Sequence, residues 1–440
     1  MYLPDSALYC IRKLENAGFA AYAVGGCVRD ALLGLIPHDY DLCTNAKPED
    51  TCRVFAGHTL VRSGEKHGTI GVVVDALVYE ITTFRTEGSY SDSRHPDRVD
   101  FVSSVAQDLA RRDFTVNAMA YNPATGLEDP WGGSEDLKNR VLRTVGDPET
   151  RFREDALRIL RGVRFAVRYN LQPEPATYQA MLRLAPAMDH LARERIFDEL
   201  CKLLPIIRAQ DMTAFAPILT QAVPPLAPTL GFLQHNRHHA YDVFTHTAHV
   251  VESCPGSLPL RWAALLHDIG KPQTFTLDEA GQGHFLGHAQ VSAQLADQAL
   301  RQLKAPTALR EQVVLLIEKH MTKLPPDKKV LRRWLGRLGE DAVGDLLTLQ
   351  QADMGSKGTG IPREAEQFPV LEALIGEILA ENACLTVKDL AVNGNDLLAS
   401  GFAPGPELGR KLQWLLEQVQ DERLPNEKQA LLQACKEETL

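Results

Sequence analysis

Two aspartates one residue apart, Asp39 and Asp41 in "HDYDL", follow a glycine pair, Gly25 and Gly26, that ends the apolar run "FAAYAV". On an extended segment, side chains at i and i+2 point the same way, so these carboxylates stand side by side and repel each other. A cation between them relieves that repulsion. With a phosphate substrate, paired carboxylates can hold divalent metal ions that activate the attacking oxygen and steady the leaving group of an in-line displacement. All-oxygen ligation of this kind suits Mg2+, with water and substrate phosphates completing its shell. A third carboxylate on a neighbouring strand would help, and Glu80 in "VYEIT" is the first candidate, with Asp75 the second. The plainer alternative, for the pair and for Glu80, is a solvent-facing strand or turn. Gly25 and Gly26 fit the same scheme, because glycines between strand and helix let the backbone approach a triphosphate, although a plain tight turn also uses them. Arg29, one helical turn on, is spaced to touch a phosphate or a sugar hydroxyl, and Asp30 offers it a salt bridge.

The elements that must position these groups follow from pattern. "FAAYAV", "YDLCT", "TIGVVVDA" and "LVYEITTF" read as strands, "CVRDALLG" and "EDTCRVF" as helices, so residues 1–140 form a mixed α/β or α+β head. From Val141 to Leu204 the pattern is helical and arginine-rich, and "QAVPPLAPTLG" (221–231) reads as a linker. A histidine-rich, mainly helical segment runs to Asp353, the glycine-containing "MGSKGTGIP" marks a further boundary, and a polar helical tail follows. The expected parts are a head (1–140), a neck (141–220), a histidine segment (232–355) and a tail (365–440).

The chain's 440 residues suit about two to four domains. A formal net charge of −10 argues against gripping nucleic acid by bulk positive charge, so any such site must be a local basic strip. The first residues show no basic-then-apolar signal pattern and no apolar run is long enough to span a membrane, so a cytoplasmic protein with no membrane partner is expected. Eight cysteines are scattered without a CxxC pair, which fits reduced thiols and gives them no catalytic role.

The run Gly25-Gly26-x-Val28-Arg29-Asp30-x-x-Leu33-Gly34, followed by Asp39-x-Asp41, resembles the signature of the bacterial (class II) tRNA nucleotidyltransferase and poly(A) polymerase family, within the DNA polymerase beta superfamily. "TTFRTEGSYSDSRHPDRVDFV" resembles that family's flexible loop, "RRDFTVNAMAY" its second nucleotide motif and "REDALRILRGVRF" its base-selecting helix. The resemblance implies an α+β fold: a small mixed-sheet nucleotidyltransferase head, then an all-helical neck, an HD domain and a tail. It implies catalytic Asp39, Asp41 and Glu80 with Mg2+, and nucleotide contacts from Gly25, Gly26, Arg29, Arg111, Arg112, Asp113 and Asn117. Its substrates would be CTP, ATP and the tRNA acceptor end. The Arg85–Arg98 loop looks complete, which favours full CCA addition, although "RHP" at 94–96 replaces the more usual "RRP".

Asp155 and Arg158 are three apart, so a continuous helix puts them on one face. Cytosine and adenine each present an amino donor beside a ring-nitrogen acceptor, whereas guanine and uracil present a carbonyl beside an N–H. A carboxylate accepts and a guanidinium only donates, so the pair complements C and A and is mispaired against G and U. The alternative is an intrahelical salt bridge. Resemblance extends nucleotide or tRNA contacts to Arg161 and Arg164, and the arginine excess between Arg140 and Arg168 supplies the local strip that acceptor-stem phosphates need.

"YDVFTHTAHVV" and "LRWAALLHDIGK" resemble the HD phosphohydrolase superfamily, which implies ligands His246, His267, Asp268 and Asp353, with His288 and His320 as extra histidines of a two-metal site. His284 rivals His288, and His235, His238, His239 and His249 are expected at the surface or around the ligands. Imidazole plus carboxylate suits Mn, Fe, Co, Ni or Zn. Such a centre would hydrolyse phosphoesters, among them 2′,3′-cyclic phosphates at RNA ends. Left open are a CC-adding, A-adding or poly(A)-polymerising enzyme, a phosphohydrolase whose N-terminal half only binds RNA, and a monomer or a homodimer.

Overall fold

The computed structural model describes residues 1–87, 99–236, 239–358, 363–381 and 383–438. The chain falls into two compact units, residues 1–207 with 214–227, and residues 208–213 with 228–440. The first takes in the expected head and most of the expected neck, while residues 208–213 of that neck go with the histidine segment and tail. The boundary lies inside the proline-rich stretch, which is no loose linker: Val223 and Leu226 are buried and Pro224–Thr229 forms a 3-10 turn.

In the first unit the strands are β1 (Ala21–Val24), β2 (Leu42–Thr44), β3 (Leu60–Val61), β4 (Thr69–Val74), β5 (Leu77–Thr83), β6 (Arg85–Glu87), β7 (Val99–Phe101), β8 (Ala120–Asn122) and β9 (Gly126–Glu128). Seven of them form one mixed sheet in the order β3-β4-β5-β2-β1-β8-β9, with β2 and β5 parallel and the other neighbours antiparallel. β6 and β7 make a separate antiparallel pair. The expected specificity loop between them falls outside the described residues from position 88 to 98.

Alternation along β4 and β5 sorts the two faces. Ile70, Val72, Tyr79 and Ile81 are buried, and Ser6 on α1 (Asp5–Asn16) shares a hydrogen bond with the Tyr79 hydroxyl at 2.6 Å. α2 (Gly26–Leu32) leaves β1 directly, and α3 (Pro48–Val54) packs against β4 and β5. Glu80 lies on the opposite, exposed face. The expected strand "TIGVVVDA" stops at Val74, because Asp75 and Ala76 adopt φ of 50° and 63° and make the two-residue turn of the β4–β5 hairpin. "YDLCT" begins only at Leu42, but the Asp41 carbonyl accepts from Val24 N at 2.9 Å, so the ladder reaches back to the aspartates.

The rest of the unit adds α4 (Val105–Ala110), α5 (Gly133–Lys138), α6 (Pro148–Glu154), α7 (Leu157–Tyr169), α8 (Pro175–Leu184) and α9 (Arg193–Leu203). α6 packs on α8, and α7 on α9. A short parallel pair, Val141–Leu142 with Gln172–Pro173, interrupts the expected all-helical neck. The helix expected through "REDALRILRG" also breaks. Asp155 takes extended dihedrals (φ −151°, ψ 104°), and its Oδ1 accepts from Leu157 N at 3.0 Å, so an aspartate side chain satisfies a backbone donor at the start of the next helix.

The second unit is helical apart from the short pair Thr276–Leu277 and Gly283–His284. Its tail has its own core, in which Leu397, Leu415, Leu416 and Leu431 bury together. Gly405, at φ 149°, turns the chain sharply into the helix Pro406–Gln420. Among the described residues no helix is long and apolar enough to cross a membrane.

Candidate active site

Sheet register brings two of the expected carboxylates together. Leu42 pairs with Ile81, so Asp41 and Glu80, each one residue earlier, are cross-strand neighbours on the exposed face. Asp75, at the hairpin tip, is five residues from Glu80 along the chain and falls away from this row. Asp41 is exposed as a residue, yet its carboxyl is pushed up to about 6, first by loss of water against the cleft wall and then by repulsion from Asp39 and Glu80, with Arg112 opposing. Asp39 and Glu80 lie close enough to repel the Asp41 charge, and their all-oxygen chemistry suits a hard divalent cation such as Mg2+, although their oxygens do not converge into a single three-ligand group.

Asp39 and Asp41 open into a cavity of about 540 Å³. Seven arginines (29, 85, 111, 112, 158, 161 and 195) and four aspartates (39, 41, 113 and 155) line it, an excess of positive charge suited to a triphosphate. Gly25 sits at φ 75°, and a Cβ there would lie 2.7 Å from the Arg112 guanidinium. The missing side chain is what lets Arg112 lie over the β1–α2 turn. Arg111 and Arg112 share the fully buried Asp108: Arg111 donates through Nε at 2.9 Å, and Arg112 stands 3.5 Å from the other oxygen with its own Nε unpartnered. Asp108 also accepts from the backbone N of Arg85, the first residue of β6.

Arg29, Asn117, Asp113 and Arg161 form a linked chain along the cleft wall rather than four independent ligand contacts. Arg29 donates to Asp30 (2.8 Å), to Asn117 Oδ1 (2.5 Å) and to the Tyr169 hydroxyl (2.5 Å), and lies 4.2 Å from the Tyr169 ring centroid. Asn117 Nδ2 donates to Asp113 Oδ1 at 3.0 Å, and Asp113 Oδ2 accepts from Arg161 at 2.9 and 2.6 Å. Burial alone would raise the Asp113 carboxyl. Arg161 and the Asn117 amide outweigh it and hold the group at about 2. This chain ties α2 of the head to α7 of the neck.

Asp155 and Arg158 both line the cleft, but not as one helical pair. Asp155 Oδ2 accepts from Arg195 on α9 at 2.7 Å, while Arg158 donates to Glu154 at 2.5 Å and to the Arg151 carbonyl at 3.1 Å. The salt bridge between them that local spacing suggested is absent. Arg164 does not line the cleft: it pairs with the buried Glu199 on α9 at 2.5 Å. Sequence reasoning missed Asp108, Arg195, His67 and Phe165, all reached by packing rather than spacing. Arg161 and Arg164 stack on the Phe165 ring at 5.2 and 4.4 Å.

In the second unit, five helices bring the expected ligands together in two overlapping groups: His246, His267, Asp268 and Asp353, and Asp268, His288 and His320. Each histidine directs Nδ1 at a backbone carbonyl: His246 at Ser356 (3.2 Å), His267 at Ala264 (2.9 Å), His288 at Phe285 (2.8 Å) and His320 at Ile317 (2.6 Å). A carbonyl only accepts, so Nδ1 carries the proton and Nε2 presents a lone pair. Those lone pairs face other acceptors: His246 Nε2 is 2.9 Å from Asp353 Oδ1, His267 Nε2 is 3.2 Å from Asp268 Oδ2, and His288 Nε2 is 3.3 Å from His320 Nε2. Burial pushes His320 down to about 4, which keeps it neutral. Imidazole and carboxylate atoms that converge in this way fit a metal ion; when none is bound, burial opposes a proton on His267 but Asp268 and Asp353 outweigh it and raise that imidazole. His284 pairs with Asp278 at 2.9 Å, outside both groups, so His288 is the residue that joins the cluster. His239 lies 5.3 Å, ring to ring, from His246; His249 stacks on Tyr241, His235 lies against Phe275, and His238 falls outside the described residues.

Comparison with known proteins agrees with the first unit's geometry. Residues 21–143 match the poly A polymerase head domain, residues 170–205 match the probable RNA and SrmB-binding site of polymerase A, and residues 275–435 match a putative tRNA nucleotidyltransferase domain 2. The mixed sheet and its head domain thus define a nucleotidyltransferase of the polymerase beta type. The chain is 33% identical to a CCA-adding enzyme of Streptococcus thermophilus over 98% of this chain and 97% of that one. It is 35% identical to one from Streptococcus gordonii over 98% and 97%. The solved Bacillus stearothermophilus CCA-adding enzyme, in complex with CTP, superposes with a TM-score of 0.72 at 30% identity over 99% of this chain and 98% of that one. The chain belongs to the family of CCA-adding enzymes.

Proposed function

We propose that the arginine-lined cleft of the first unit adds C, C and A to the 3′ end of tRNA from CTP and ATP without a template. The observation that carries this reading is the row formed by Asp41 and Glu80, with Asp39 beside it, at the mouth of a cleft holding seven arginines. In the reaction the tRNA 3′ oxygen bonds to the α-phosphorus, the bond to the α–β bridging oxygen breaks, pyrophosphate leaves and the hydroxyl proton passes to solvent. Asp39, Asp41 and Glu80 supply the oxygens for Mg2+. When bound, that ion lowers the pKa of the attacking hydroxyl and neutralises charge on the leaving group. Arg111 and Arg112, steered by Asp108, take the triphosphate. Asp155 and Arg158 read the amino and ring-nitrogen edge shared by C and A, and their present partners, Arg195 and Glu154, set their directions. The Arg29–Asn117–Asp113–Arg161 chain keeps the triphosphate turn in register with the base-reading helix. Action on tRNA supports a cytoplasmic location.

The direct test offers tRNA transcripts ending before CCA, after C and after CC, with CTP, ATP or both, resolving products to one nucleotide. Extension of all three to CCA, then arrest, is the expected result. Arrest after CC, extension of the CC-ended transcript alone or an unbounded A ladder would replace the proposal with a sister activity.

A second reading concerns the histidine cluster, which we propose is an HD-type metal centre that hydrolyses RNA-end phosphoesters such as 2′,3′-cyclic phosphates. The opposed Nε2 lone pairs favour it. Mn, Fe, Co, Ni or Zn, when bound, supplies Lewis-acid activation of water, while the protein's part is to fix four imidazole tautomers through backbone carbonyls. Metal analysis of the purified chain, and hydrolysis of a 2′,3′-cyclic nucleotide with each metal, test it. Both should vanish in His267→Ala and survive in Asp39→Ala, and a protein that holds no metal sinks the reading.

A further inference from the structure

The catalytic row does not end at Glu80. Across the sheet, Glu80 pairs with Gly71, and Gly71 with Val61, while Val78, two residues before Glu80 on the same face, pairs with Val73. This stretch of sheet is apolar and open to solvent: Val78 is 57% exposed and Val61 41%. Gly71 between them is buried and its missing side chain lets the two valines close into one flat floor, since a Cβ there would lie 3.0 Å from the Val61 side chain and 3.1 Å from that of Val78. None of Val61, Gly71, Val78 or Glu80 lines the arginine cleft. Singly exposed valines need no explanation, but an apolar floor continuous with catalytic carboxylates does.

We infer that the floor formed by Val61, Gly71 and Val78 is the seat of the tRNA's 3′-terminal nucleoside, the group that carries the attacking hydroxyl. The inference rests on the CCA-adding reading of the cleft. In-line displacement puts the attacking oxygen and the pyrophosphate on opposite sides of the α-phosphate, with the metal-holding carboxylates between them. The triphosphate belongs with the arginines, so the primer approaches from the other side of Asp41, where the row runs to Glu80 and the valines. A nucleoside suits that surface, because base and ribose offer apolar faces that bind by contact and desolvation and accept any base. Such sequence tolerance is needed where the terminal residue is in turn the nucleotide before CCA, C, and C again.

The test is steady-state addition by the full chain carrying Val61→Ser with Val78→Ser, on the three tRNA transcripts named above. KM for tRNA should rise about tenfold on every transcript, while kcat at saturating tRNA and KM for CTP and ATP stay within about twofold of the parent. Val61→Thr with Val78→Thr keeps the branched shape a strand prefers and should give a smaller rise in the same parameter. If the parent extends tRNA and both pairs keep its tRNA KM, the floor is not the primer seat. A rise in KM for CTP instead would assign the valines to the nucleotide side and also overturn the inference. If the parent extends no transcript, the reading of the cleft itself fails, and this inference goes with it.

Discussion

Asp113→Asn should destabilise the first unit by about 2 to 3 kcal/mol near neutral pH, and the size follows from the geometry by two routes. Asp113 is 7% exposed and its two oxygens accept four hydrogen bonds: from Phe114 N (2.8 Å), Asn117 (3.0 Å) and twice from Arg161 (2.9 and 2.6 Å). An asparagine keeps the shape but turns one acceptor into an NH2 that must face a donor. Breaking a fully buried ion pair costs roughly 3 to 5 kcal/mol, but the Arg161 side chain is 36% exposed and recovers part of its hydration, which lowers the figure. The second route is proton linkage. A carboxyl held at about 2 against an unfolded value of about 3.9 contributes about 2 to 3 kcal/mol at neutral pH. Because the folded value is depressed, this stability is complete above the unfolded pKa and is lost as pH falls through about 2, so roughly half should remain at about pH 3. The assay is urea unfolding of parent and variant from pH 7 to pH 3, with a thermal scan in which the midpoint falls by about 5 to 10 °C at neutral pH. A stability gap under about 1 kcal/mol, or one that stays constant down to pH 3, would refute the linkage argument.

Gly25→Ala forces a side chain into positive φ and against the Arg112 guanidinium, so KM for CTP and ATP should rise at least about tenfold, with a stability loss of about 1 to 3 kcal/mol; unchanged nucleotide KM would show that Arg112 does not serve the triphosphate. At limiting Mg2+ the rate of nucleotide addition should fall on the acid side near pH 6, where Asp41 takes a proton. That limb should move to lower pH as Mg2+ is raised, because metal and proton compete for the same oxygens; a limb indifferent to Mg2+ counts against Asp41 as a ligand. Ala76→Gly, at an exposed turn residue with φ 63°, should stabilise the protein by about 1 kcal/mol without changing activity, as read by chemical denaturation; a loss of stability would mean the hairpin turn differs from the one described.

What the sequence made legible was local. The glycine pair, the aspartates two apart and the alternation of β4 and β5 are short-range patterns: strand pairing keeps the alternation, and the glycines and both aspartates line one cleft although the aspartates sit just before β2 rather than in it. The histidine cluster was legible for another reason: His246, His267, Asp268, His288, His320 and Asp353 are metal-ligand types with almost no other reason to be buried together. Pairings across distance were not legible. Spacing joined Asp155 to Arg158, but Asp155 turns to cap Leu157 N and meets Arg195 from α9, forty residues later, and no helix propensity in "REDALR" announces that break. Arg164 continues the three-residue spacing of Arg158 and Arg161, yet α9 supplies Glu199 and takes it out of the cleft. Asp108 reads as an ordinary helix carboxylate until folding leaves it buried beneath two arginines.

In the seven-stranded sheet, among the described residues, β2 and β5 are the one parallel pair, and they join segments almost forty positions apart. The β4–β5 hairpin closes over two residues and can form early, whereas docking β2 beside β5 must first close a long loop that includes α3 and the hairpin itself. Asp41 meets Glu80 only through that late step. A partly folded chain in which the hairpin has formed but β2 has not docked therefore lacks the Asp41–Glu80 neighbours, and because β1 must also reach β8, almost a hundred positions on, nucleotide handling is tied to closure of the whole sheet.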